Sequence, residues 1–221
     1  MGQRNLVIID YGMGNLHSVN QALIKVGCPA RVSSSAEDVA QAYAVVLPGV
    51  GSFGQCMKNL SQLGLIAPLT SHLEAGRPYL GICLGYQILF ESSQESSGTP
   101  GLGFLSGQVV KFPSMGLKIP HMGWNVVNLK RPNPLFTGIA PKSYFYFVHS
   151  YLVEPKDEEM VVTTTEYGVN FASSVQSGNL FACQFHPEKS QRLGLKFLAN
   201  FLEFAGIEKR TGRSGLEVEC K

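Results

Sequence analysis

Three short runs of uninterrupted apolar residues constrain this chain more than anything else in it. Residues 6–9 (Leu-Val-Ile-Ile), 44–47 (Ala-Val-Val-Leu) and 79–82 (Tyr-Leu-Gly-Ile) are each the length of a strand and lack the polar alternation of a half-solvated one. A strand that is apolar on both faces must be covered on both faces, which is the setting of a parallel sheet between helices. The intervening segments supply those helices. Leu16, Val19, Leu23 and Val26 recur at helical spacing, and Gly27 follows as a C-terminal stop. Residues 30–33 read as a further short strand. After a glycine-rich loop at 48–54, one or two helices are expected, at 55–60 and along the stripe Leu65, Ile66, Leu69 and Leu73. This strand–helix order predicts an α/β fold with a mixed, largely parallel central sheet and helices on both faces.

The texture changes after Phe90. Residues 84–90 read as a helix, and 91–103, rich in Ser, Gly and Pro, as a loop. Beyond that, residues 108–112, 124–129, 144–153, 161–167, 171–176 and 180–185 read as strands. Some extend the central sheet and others form a smaller antiparallel one. Leu193, Phe197, Leu198, Phe201 and Leu202 mark a final amphipathic helix. The expected organisation is one domain over residues 1–205 and a frayed polar tail over 206–221.

Charge and composition narrow the function. Eighteen basic against 16 acidic residues leave a net charge of +2, which gives no reason to expect nucleic acid or an anionic membrane as partner. No apolar run approaches the roughly 20 residues that span a bilayer, and the N-terminus leads into a strand without a signal-peptide layout. The five cysteines (Cys28, Cys56, Cys83, Cys183 and Cys220) are odd in number and widely spaced, with no CxxC. That argues against a disulfide framework or a metal site, and for a reducing, cytoplasmic setting. Cys183 alternates with Phe181 and Phe185 and is expected to face a core.

Cys83 is different. It is caught between a strand and a helix in Gly81-Ile82-Cys83-Leu84-Gly85. A sharp strand-to-helix turn flanked by glycines lifts a side chain clear of the backbone, and a helix N-terminus behind it favours a thiolate. An ordinary buried cysteine fits the same segment. A thiolate that attacks a carbonyl also needs a base, a group to orient that base, and donors for the oxyanion. His186 and Glu188, in Phe185-His186-Pro187-Glu188, supply the first two: the histidine ends an apolar strand, and the acid two residues on can reach its second ring nitrogen. A surface histidine beside a surface acid is the alternative. Of the other histidines, His17 and His72 fall on predicted helices, His72 on a surface one. His121 lies between Pro120 and Met122, and His149 lies inside a strand-like run. For the oxyanion, the N–H of Leu84 and that of Val50, within Pro48-Gly49-Val50-Gly51, are the candidates.

Together these motifs resemble the class I, triad-type glutamine amidotransferases over roughly residues 5–204. Gly81–Gln87 is similar to that family's nucleophile motif, Pro48–Gly51 to its oxyanion strand and Phe185–Glu188 to its base motif. The resemblance implies hydrolysis of L-glutamine by Cys83, His186 and Glu188, no cofactor and no metal. It also implies substrate contacts from Gly51, Gln87, Glu95 and Ser150. Val50 and Tyr86 stand where the anthranilate-type subunits have a second proline and a histidine. Four stretches resemble instead a subgroup whose partner in a heterodimer is a (β/α)8-barrel cyclase: Asp10–Leu16, Pro120–Asn125, Phe147–Tyr151 and Gln184–Ser190. The matching motifs make Asn15, Trp124, Tyr146 and Lys189 candidates for that interface. An amidotransferase subunit of another synthase, or a cysteine hydrolase of similar fold, are the alternatives.

Overall fold

A computed structural model describes residues 4–114 and 116–208. The tail expected from residue 206 lies mostly outside the described residues. Its first residues pack on the domain: Arg4 donates to the Gly206 carbonyl at 2.7 Å, and Ile207 is buried in the core.

The first half follows the predicted alternation. β1 (Leu6–Ile9), α1 (Leu16–Lys25), β2 (Arg31–Ser33), α2 (Ala36–Gln41), β3 (Ala44–Gly49), α3 (Phe53–Gln62), α4 (Ile66–Glu74) and β4 (Tyr79–Cys83) come in order. The continuous apolar runs split their side chains between two cores. Leu6, Ile8, Ala44, Val46, Leu80 and Ile82 face α1 and a C-terminal helix, while Val7, Ile9, Val45, Leu47 and Tyr79 face α3 and α4. Asn15 caps α1 by accepting from the Ser18 amide at 3.2 Å. Helix α2 was not anticipated. Its signal is Ser35 as N-cap, accepting from the Asp38 amide, with Glu37 and Asp38 in the first turn.

The second half comprises α5 (Leu84–Gln87), β5 (Ser92–Ser93), β6 (Gly107–Lys111), β7 (His121–Leu129), β8 (Ser143–His149), β9 (Tyr151–Pro155), β10 (Val161–Tyr167), β11 (Val169–Ser177), β12 (Leu180–Cys183) and α6 (Gln191–Phe204). The central sheet has nine strands in the order β2-β1-β3-β4-β12-β11-β10-β7-β8. It is parallel from β2 through β12 and antiparallel from β12 to β8. A second sheet, β5-β6-β9, stands beside it.

Three expectations are corrected. The helix expected over 84–90 is one turn long. The carbonyls of Ile88, Leu89 and Phe90 accept from the amides of Leu102, Leu105 and Gly103, so they are not free to extend it. Its dipole is that of a single turn. The strand expected over 144–153 breaks at Ser150: β8 pairs with β7 in the central sheet and β9 with β6 in the second. His149 Nδ1 donates to the Tyr151 carbonyl at 2.8 Å across this corner. His72 is fully buried, its Nε2 bonded to the Pro78 carbonyl at 3.0 Å, and not on the surface. Among the described residues no helix is long and apolar enough to cross a membrane.

Candidate active site

The carboxyl ends of β3, β4 and β12 lie side by side. Gly49 is in register with Cys83, and Cys183 with Ile82. This places Val50, Cys83 and the segment Gln184–Glu188 on one rim of the parallel part of the sheet, where chain crossings leave room for ligands.

Cys83 takes up the sharp bend predicted for it, at φ 55 and ψ −101. A non-glycine residue there is held in a strained conformation by its surroundings, at a cost of about 1–3 kcal/mol. The two flanking glycines are required by contact. A Cβ on Gly85 would lie 1.9 Å from the Leu47 carbonyl oxygen, and one on Gly81 would lie 2.5 Å from the Gly85 carbonyl oxygen. Strand and helix turn approach too closely for any side chain.

His186 is 1% exposed. Its backbone N–H donates to the Tyr146 carbonyl at 2.8 Å. The Ser190 hydroxyl donates to the His186 carbonyl at 2.6 Å and accepts from the Tyr146 amide at 3.0 Å, so the loop is stitched to β8. His186 Nδ1 meets Glu188 Oε1 at 2.8 Å, with both side chains buried. An ionised carboxylate only accepts, so Nδ1 carries a proton and Nε2 is left for chemistry. Within the described residues Nε2 makes no hydrogen bond of standard geometry. Burial alone pulls this histidine toward its neutral form. The charge of Cys83, joined by the hydrogen bond and charge of Glu188, overcomes that and pushes the pKa up to about 10. Cys83 and the His186–Glu188 pair thus follow the ends of the adjacent parallel strands β4 and β12.

A cavity of about 390 Å³ opens above the sulfur. Its walls include Cys83, Leu84, Val50, Gly51, Gln87, Glu95, Ser150 and Lys189, together with Pro120, Val148, His149 and Tyr151. All four predicted substrate residues and both predicted oxyanion donors thus share one cavity with the cysteine. A larger groove of about 640 Å³ lies between the two sheets and contains none of them. Glu95 has a structural task as well: its Oε2 accepts the Phe53 amide at 2.7 Å, at the start of α3. Gln87 spends its whole amino group inside the protein, on the Tyr151 carbonyl at 3.2 Å and on Gln184 Oε1 at 3.0 Å. Only its carbonyl oxygen remains for a ligand.

Of the predicted interface residues, Trp124, Tyr146 and Lys189 form one cluster. The Trp124 ring meets Tyr146 edge-on at 6.1 Å, and the Lys189 ammonium stands 5.7 Å from the Tyr146 ring centre. Trp124 is 45% exposed, and nearby on the same hairpin Met122 and Tyr144 are 59% and 56% exposed. Asn15 is used differently, as the cap of α1; its neighbour Gly14 packs against the Pro48 carbonyl.

The sequence puts His121 near a candidate site and His149 in a structural role inside a strand; the structure joins the two as a pair. His149 Nδ1 donates to a carbonyl, so its Nε2 accepts, and His121 Nδ1 donates to it at 2.9 Å. Asn125 donates to His121 Nε2 at 3.1 Å. Both rings are neutral, burial holding His149 down at about 3 and His121 at about 4. Gln184, which donates to the Cys83 sulfur at 3.5 Å, was given no role by the sequence.

Comparison with known proteins agrees on one family. The class I glutamine amidotransferase model matches residues 7–204. The imidazole glycerol phosphate synthase subunit HisH of Moorella thermoacetica is 50% identical over 212 residues, spanning 96% of this chain and 99% of its own. The protein of the same name from Aquifex aeolicus is 52% identical over 196 residues, spanning 88% and 94%. Among solved structures, a glutamine amidotransferase covers 91% of this chain and 99% of its own at a TM-score of 0.72 and 20% identity. PurLQS from Thermotoga maritima gives 0.71 at 20% identity, covering 92% and 99%. At that identity the structural matches speak for the fold alone.

Proposed function

The chain belongs to the class I glutamine amidotransferases, and on that premise we propose how its site hydrolyses glutamine and where the ammonia goes. It is the glutaminase subunit of an imidazole glycerol phosphate synthase and acts in histidine biosynthesis. The chemistry is supported by the placement, at the ends of the adjacent parallel strands β4 and β12, of a bent-out Cys83 and a buried His186–Glu188 pair.

Cys83 attacks the side-chain amide carbon of glutamine as a thiolate. The amides of Val50 and Leu84 receive the oxyanion. His186, protonated at rest, gives its Nε2 proton to the departing ammonia. Neutral, it then takes a proton from the water that hydrolyses the thioester, and Glu188 holds its ring throughout. Loss of one oxyanion donor raises the barrier by about 3 kcal/mol, roughly a hundredfold in rate. Substrate binding follows the same polarity. The one free polar atom of Gln87 is an acceptor, so it and the Glu95 carboxylate suit the α-ammonium. Gly51 and Ser150 line the remaining wall.

Ammonia released to water becomes ammonium, so the reading includes a partner that receives it: a (β/α)8-barrel cyclase in a heterodimer. The aromatic cluster of exposed Trp124 and half-buried Tyr146, with Lys189 on the cavity wall and Asn15, forms its docking surface. A cytoplasmic location belongs to the same reading. The deciding experiment is glutamine hydrolysis by the full chain, alone and with the cyclase plus its ligand. Turnover is expected to rise on adding the partner and to vanish in Cys83→Ala. Hydrolysis that persists in that variant overturns the mechanism.

A further inference from the structure

Gln184 is fully buried, one residue past the end of β12, and its side-chain nitrogen stands 3.5 Å from the Cys83 sulfur. Which end of an amide faces a neighbour depends on the network around it, and here the network is anchored. The Tyr151 carbonyl can only accept, so the amino group of Gln87 must face it. That amino group has a second proton, and it goes to Gln184 at 3.0 Å. Gln184 must therefore present its oxygen to Gln87 and its N–H to the sulfur. A donor at sulfur favours the thiolate over the thiol. The competing neighbour is the Val148 carbonyl, 3.9 Å from the sulfur, an acceptor that suits S–H instead.

Building on the glutaminase reading above, we propose that Gln184 is a further catalytic residue, whose amide N–H holds the Cys83 sulfur as thiolate, and that Gln87 and the Tyr151 carbonyl orient it. The proton that leaves Sγ resides on His186 Nε2, and no other bond changes. Gln87 then has two tasks: its oxygen reads the substrate while its nitrogen sets the nucleophile. The corner between β8 and β9, which presents the Tyr151 carbonyl, thereby becomes part of the nucleophile's support.

The test needs no glutamine. Alkylation of Cys83 by iodoacetamide, followed by peptide mass spectrometry on the full chain, reads its thiolate content as a function of pH. Gln184→Met removes the donor at similar volume; Gln184→Glu keeps the shape and replaces the donor by an acceptor. Alkylation at pH 7 is expected to slow several-fold in Gln184→Met and further in Gln184→Glu, with the difference from wild type closing as the pH rises. Gln87→Met should show the same pH signature in smaller measure. Unchanged rates at pH 7, or an equal slowing at every pH, overturn the proposal, and the second result identifies a packing role. If Gln184→Met does not fold, Gln184→Glu and Gln87→Met decide. A wild-type chain that alkylates rapidly yet hydrolyses no glutamine with its partner sinks the glutaminase reading and leaves the thiolate support standing.

Discussion

Two histidine clusters flank the same cysteine rim and are driven in opposite directions. His186, His149 and His121 are all nearly inaccessible to water, so desolvation pushes each of them toward its neutral form. In His186 that pressure is overcome by the Cys83 thiolate and Glu188, and the ring is held charged. In the His149–His121 pair no carboxylate answers it. Their partners are a carbonyl, an amide and each other, and both rings stay neutral. The lesson is that burial does not decide whether a histidine is an acid or a spacer; the charge placed against it does. In the proposed reaction the charged ring moves a proton, whereas the neutral pair holds the corner between β8 and β9 in one tautomeric arrangement.

The contrast breaks most completely when the bend that delivers the sulfur is removed. Gly85→Ala would drive a methyl group into the Leu47 carbonyl oxygen, 1.9 Å from the new Cβ. Backbone cannot yield there without separating β3 from the turn. Loss of soluble protein, or a melting temperature many degrees lower with no turnover, is the expected outcome of thermal denaturation and activity assays. Cys83→Ala is milder for the fold and as severe for function: turnover should vanish. The His186 ring, stripped of its main charge partner, should titrate at lower pH in an NMR experiment. Glu188→Gln leaves the shape and removes the charge. A neutral amide can offer Nδ1 either atom, so the tautomer is no longer imposed, and kcat with the partner should fall on the order of a thousandfold or more while KM stays nearly constant. A loss confined to KM would break the assignment of Glu188 as the group that orients the base.

Much of this arrangement was legible because it is local. Continuous apolar runs announced β1, β3 and β4, and a cysteine between glycines announced its own bend. His186-Pro187-Glu188 needed only a single tight turn to become an ion pair. What escaped was set by partners distant in sequence. Residues 144–153 keep a strand-like pattern straight through Ser150, and only pairing to two different sheets reveals the break. The helix after Cys83 is cut short by amides from residues 102–105. His72 lies on an ordinary amphipathic pattern, and its burial depends on the Pro78 carbonyl at the start of β4. The pairing of His121 with His149 and the reach of Gln184 to Cys83 join residues 28 and 101 positions apart. No periodicity records such a contact.

The smallest effect expected is on stability, and it is the one that sharpens the contrast. His149 and His121 are held at about 3 and about 4, below the 6.5 of an unconstrained histidine. Between those values the unfolded chain binds more protons than the folded one, so stability is complete above about pH 6.5 and falls as the pH drops. His186 is pushed up to about 10. There the folded chain binds the extra proton, so its contribution is complete below about pH 6.5 and falls as the pH rises toward 10. Melting temperature against pH should therefore slope down on both sides of near neutrality, each limb by a few degrees. The limbs belong to different clusters and should separate by mutation. His121→Asn should make the acid limb shallower without abolishing it, because His149 is held down mainly by its own burial, and should leave the alkaline one; Cys83→Ala should flatten the alkaline limb by removing a charge that raises His186. If Cys83→Ala leaves the alkaline limb unchanged, the cysteine is not what holds His186 up; if His121→Asn flattens both limbs, the repulsion between His186 and His149, the smallest cause acting on His149, is in fact dominant. The opposition between a charged base and a neutral spacer then gives way to a single coupled network.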